Sequence, residues 1–200
     1  GFRFWSEPAR NNFGPAIGET LEAAFDGPDG VVINLIQLLT DDPKTVIGHI
    51  TRFIAQYGRT PTGFTSVVTT AHTVADMEKA LAFYYGPLQM TLFVESILQG
   101  AVTNRALSLP EDARTRSVIV QGNHEYGKIA LAAALNYEIP SLVAAAVPPN
   151  IGYLAQSFEG NGPAGRRLLQ GHGGPQPGQR RIAGVVPAPV GATIRGQSGR

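Results

Sequence analysis

Apolar and polar positions repeat with two different periods along this chain, and each change of period marks an element. In TLEAAFDGPDGVVINLIQLL, residues 20–39, two apolar, β-branched runs flank DGPDG, a turn signal in which Gly27 and Gly30 are available for positive φ. The pattern predicts a hairpin, and the largely apolar VVINLIQLL predicts that its second strand is buried on both faces. In TDDPKTVIGHITRFIAQYG the period lengthens. Val46, Ile47, Ile50, Phe53, Ile54 and Tyr57 fall at helical spacing, Asp or Thr ahead of Pro43 opens the helix, and Gly58 closes it. RTPTG follows as a linker and sets a boundary near residue 60.

Beyond the boundary, FTSVVTT reads as a β-branched strand. HTVADMEKALAFYYGPL reads as a helix, with Thr73 and Asp76 at capping spacing and Met77, Ala80, Leu81 and Tyr84 on one face. Three apolar stretches come next: QMTLFVESIL, ARTRSVIVQG and GKIALAAAL. The last is rich in Ala and favours a helix on propensity alone, but it follows the hairpin-like turn QGNHEYG and has the length of a strand, so a strand is expected. Residues 136–158 begin another strand-bearing segment. GNGPAGRRLLQGHGGPQPGQ then has too much Gly and Pro for a helix, with strand character returning in RRIAGVV and GATIR.

Composition narrows the class. The 200 residues are 43 % hydrophobic and 16 % charged, which is globular, and 24 Gly with 15 Pro favour turn-rich sheets. The absence of cysteine excludes disulfide scaffolds, thiolate metal sites and cysteine nucleophiles. No apolar run approaches the roughly 18 residues of a membrane span, and the first residues lack a signal-peptide pattern, so a soluble, cytoplasmic protein is expected. The net charge of +1 conceals an asymmetry. Residues 1–159 carry 10 Lys and Arg against 15 Asp and Glu, whereas residues 160–200 carry six Arg and no acid. The basic end reads as a solvated Gly/Pro-rich tail in preference to a nucleic-acid contact.

VVTTAHTVADMEKALAFYYGPLQM resembles the first strand and helix of the vicinal-oxygen-chelate superfamily, which includes glyoxalase I, extradiol dioxygenases and bleomycin- and fosfomycin-resistance proteins. GKIAL resembles that family's fourth strand, and PDGVVINL (28–35) and PVGATIRG (189–196) resemble the turn and closing strand of a module. The resemblance implies an α+β fold in which βαβββ modules pair into an open cup, preceded here by a partial module. Residues 1–60 would then hold the end of a preceding module plus a linking helix, and residues 61–200 a paired-module cup, as the later part of a longer tandem arrangement. The strands of residues 1–40 would need to dock on another sheet, in this chain or in a second copy.

The same resemblance implies where chemistry would sit. Metal-dependent members place His, Gln or Glu on the opening strand and Glu on the closing strand, leaving positions open for a chelating substrate. The closing positions here are Ala130, Asn34 and Arg195, and the opening positions fall near Thr69 and Ala155. No carboxylate stands among them, and a shift of two from Ala130 meets Lys128 or Ala132. The expectation is therefore a cup without a metal or other cofactor that binds a small, partly apolar organic molecule, with Asn34, Thr69, His72, Ala130 and Arg195 as candidate ligand-binding residues and a homo-oligomer as a candidate assembly. Alternatives are a metal-dependent lyase or extradiol-type dioxygenase with ligands placed elsewhere, and a structural or interaction domain. The four histidines show no HxH or HExxH spacing. His124 and Glu125 are adjacent in a turn and should point apart, whereas His72, just before a helix, is the better pocket candidate. GNGPAG fits G-x-G-x-x-G only formally, since no helix opens on it, and no catalytic residue can be assigned from spacing alone.

Overall fold

The computed structural model describes residues 3–145 and, beyond them, the backbone of two short antiparallel strands, Gln156–Ser157 and Val185–Val186. The described part is a mixed α+β fold with a three-stranded and a four-stranded sheet. Strands β1 (Ala9–Asn12), β2 (Glu19–Asp26) and β3 (Val32–Leu38) form an antiparallel meander. The expected hairpin is β2–β3. At its turn, positive φ is taken by Asp29 (54°) and Gly30 (71°), while Gly27 stays at −80° because its N–H closes the turn on the Val31 carbonyl at 2.8 Å. The burial expected for β3 is not found: Ile36 and Leu39 are 50 % and 37 % exposed. β3 is an edge strand, and no strand among the described residues lies along its outer side.

Helix α1 (Val46–Tyr57) begins three residues later than the Pro43 signal implies. Asp42 Oδ1 accepts from Lys44 N–H across Pro43, and the Thr45 hydroxyl, accepting from Gly48 N–H at 3.0 Å, is the true cap. Gly48 is required by packing, since a Cβ there would lie 1.9 Å from the Asp42 carbonyl oxygen. The helix ends at Gly58, at φ 77°.

Residues 69–134 run strand, helix, strand, short helix, strand, strand: β4 (Thr69–Thr73), α2 (Met77–Tyr85), β5 (Thr91–Gln99), α3 (Ala101–Ala106), β6 (Arg114–Gln121) and β7 (Lys128–Ala134). The sheet order is β4-β7-β6-β5, with β4 parallel to β7 and the other pairs antiparallel. β4 begins later than FTSVVTT suggests, because a turn at residues 60–64 occupies Phe64: its N–H binds Thr60 Oγ1 and its carbonyl accepts from Thr60 N–H. Thr73 is consequently a buried strand residue, and Asp76 alone caps α2, accepting from Lys79 N–H at 2.9 Å. Met77, Ala80, Leu81 and Tyr84 of α2 pack on Val118, Val120, Ile129 and Leu131, forming the main core on one face of the sheet. Among the described residues no helix is long and apolar enough to cross a membrane.

Candidate functional site

The two faces of the four-stranded sheet differ. Strand alternation assigns Ile129, Leu131 and Ala133 of β7 to the α2 face, all buried, and Lys128, Ala130, Ala132 and Ala134 to the other. The register extends that second face across neighbouring strands. Thr69 lies beside Lys128, Ala71 beside Ala130 and Thr73 beside Ala132, while Ser117 and Ile119 of β6 stand opposite Ala132 and Ala130. Ala71 is exposed, and Ala130, Ser117 and Ile119 are half-buried, although β6 and β7 are the central strands, whereas Thr73, Thr115 and Ala132 on the same face are buried. The face opposite α2 is thus a partly open surface floored by methyl and hydroxyl groups.

Lys128 closes one end of this floor and is 1 % exposed. Its Nζ donates to the Glu125 backbone carbonyl and to Glu125 Oε2 at 3.0 Å, and lies 4.6 Å from the centre of the Phe93 ring. Glu125 Oε1 in turn meets His49 Nε2 of α1 at 3.2 Å. Burial would raise the Glu125 pKa, but the hydrogen bonds from Lys128 and His49, together with their charges, hold it below the usual glutamate value. An ammonium buried this fully is tolerated because a carboxylate, a carbonyl and a ring face surround it.

His124 and Glu125, adjacent in the turn and expected to point apart, both make contacts with α1, Glu125 at His49 and His124 at Phe53 and Tyr57. His124 accepts from Tyr126 N–H at its Nδ1 and joins an aromatic cluster with Phe53, Tyr57 and Tyr126, whose closest ring centres are 4.2 Å apart. This cluster and the His49–Glu125 contact fasten α1 to the β6–β7 turn.

Of the residues singled out from sequence, Thr69 and Ala130 share the open face. His72 is 4 % exposed and pairs in register with Leu131, which places it on the α2 face, away from Ala130. Asn34 belongs to the other sheet, where it is exposed and donates to Glu22 Oε2 at 2.9 Å. Arg195, Ala155 and the Gly-rich segment 160–178 lie outside the described residues. Among the described residues no three His, Asp or Glu side chains gather as a metal site. The Lys128–Glu125–His49 chain was not foreseen; its only trace in the sequence is a lysine heading an apolar strand three residues after a glutamate. No family model matches the chain, and no curated protein matches it.

Proposed function

We propose that the open face of the four-stranded sheet is one wall of a vicinal-oxygen-chelate-type cup that binds a small, partly apolar organic molecule without a resident metal. The observation that carries this reading is the asymmetry of β6 and β7: packed against α2 on one side through Val118, Val120, Ile129 and Leu131, and on the other only half-buried at Ala130, Ser117 and Ile119, beside buried Ala132. Small side chains at the centre of a sheet leave volume for a guest, and the Phe93 ring at the edge offers it an apolar contact. The strand-helix-strand-strand-strand order, interrupted by the short α3 between β5 and β6, and the parallel β4–β7 pairing are compatible with the module that the sequence resembles.

The residues on this face do not suit the metal that the superfamily resemblance implies. A methyl group stands at Ala130, Thr69 supplies a neutral hydroxyl, and the carboxylate at Lys128, Glu125, is already matched by Lys128 and His49. The face offers neutral methyl and hydroxyl groups where a divalent ion needs anions.

Ligand-observed NMR with a library of small aromatic and aliphatic acids, alcohols and ketones tests the reading on the full chain. Partly apolar compounds should bind with Kd on the order of 0.1–1 mM, as expected for fragments. Ala130→Phe should abolish binding while leaving the circular dichroism spectrum unchanged. Binding that ignores this substitution, or its complete absence, would remove the proposal. Near-stoichiometric Zn, Ni, Mn or Fe surviving dialysis, with activity lost to a chelator, would replace it by a metal-dependent enzyme.

A further inference from the structure

The exposed edges of the two sheets are protected unequally. β1 is four residues long and carries Arg10, β4 has five residues, and β5 carries Glu95 and a bulge between Leu92 and Val94. Short length, charge and bulges are the usual means of preventing edge-to-edge pairing. β3 has none of them: Val31–Leu39 contains no charge and no proline, and the β2–β3 register runs without a break.

The hydrogen-bond phase of β3 identifies which groups are free. Leu39 N–H donates to the Glu19 carbonyl at 3.0 Å, and Gly27 N–H to the Val31 carbonyl at 2.8 Å. In an antiparallel ladder bonded and non-bonded pairs alternate. The odd-numbered residues Ile33, Leu35 and Gln37 therefore turn their backbone groups to β2, and Val32, Asn34, Ile36 and Leu38 turn theirs outward.

We propose that this edge is the interface for a second copy of the chain, with β3 pairing antiparallel to β3 about a two-fold axis at Leu35. In that register Val32 meets Leu38 of the partner subunit and Asn34 meets Ile36 of the partner subunit. These are all outward residues, so about eight backbone hydrogen bonds form across the dyad. Val31–Leu39 carries no charged side chain, so no like charges of the two strands meet across the dyad. The groove of about 460 Å³ beside Leu35, Leu38 and Phe64 abuts the same strand, and in the dimer it would continue across the axis. Exposed Ile36 would be covered. The assembly is independent of whatever the β4–β7 face binds.

The test is sedimentation velocity with hydrogen exchange on the full chain. A dimer is expected in which the Val32, Asn34, Ile36 and Leu38 amides are protected along with those of Ile33, Leu35 and Gln37. Ile36→Pro removes one outward donor per copy and spares the ladder to β2, and should weaken the dimer about thirtyfold or more. Ile36→Thr keeps the donor and should remain dimeric. Asn34→Lys with Ile36→Lys sets ammonium against ammonium across the dyad and should dissociate it, whereas Asn34→Lys with Ile36→Glu sets unlike charges and should restore it. A monomer at every concentration, a dimer indifferent to Ile36→Pro, or protection of the outward amides in a monomer would each overturn the proposal.

Discussion

Replacing Lys128 by Met tests whether the buried ammonium holds the end of the candidate site together. Methionine keeps the length and apolar stem of lysine, so packing around Phe93 is preserved while the charge is lost. The carboxylate of Glu125, 25 % exposed, would keep only His49, itself 58 % exposed, and its backbone carbonyl would lose a donor. Breaking a fully buried pair costs about 3–5 kcal/mol, but Glu125 has access to water and keeps one partner, so a loss of about 2 kcal/mol is expected. The pH dependence gives the sharper readout. Glu125 has a lowered folded-state pKa, so its contribution is present above the unfolded value of about 4.3 and is lost as pH falls through the folded value. Urea unfolding at a series of pH values from 7 to 3 should show the difference between the native chain and Lys128→Met shrinking over that acid window. A variant within about 0.5 kcal/mol of the native chain at neutral pH, with an unchanged acid profile, would refute the reasoning, because the ammonium would then be a passive buried group.

Leu131, fully buried between α2 and the sheet, should cost about 2–5 kcal/mol on substitution by Ala, measured by urea denaturation with an unchanged slope. Asp76→Ala removes the side-chain acceptor of Lys79 N–H and should cost about 1 kcal/mol, with faster amide exchange confined to the first turn of α2.

How much of this fold is legible in the sequence depends on whether an element is defined by its own periodicity or by its neighbours. Helices α1 and α2 show a full apolar stripe, and the stripe of α2 is the face that packs. β7 is legible against propensity because it follows the turn QGNHEYG and has only the length of a strand, and a strand held between β4 and β6 overrides the helical preference of Ala. α3 is not legible. Six residues are too few to display a period, and the segment is held by Asn104, whose amide donates to the Glu111 and Ala113 carbonyls at 2.8 and 3.0 Å. Nor is β1, whose ARNN has no β-branched residue and is a strand because β2 is there to receive it. The burial expected of β3 failed for a related reason, since an apolar run reports what a strand would tolerate on its faces and says nothing of its place in the sheet order.

The candidate site divides along the same line. Two-residue alternation was enough to put Lys128, Ala130, Ala132 and Ala134 on one face, because parity is a local property of a strand. It could not reveal that the lysine is sealed from water, since its sealing depends on Glu125 in the turn and Phe93 two strands away. Glu125 is tied in turn to His49, 76 residues earlier on α1. Those contacts join the residues before the linker to the sheet after it, so the boundary near residue 60 separates two runs of sequence whose side chains nonetheless form one polar chain. A perturbation of α1 at His49 should therefore be felt at Lys128, on the same face as Ala130, through a single carboxylate.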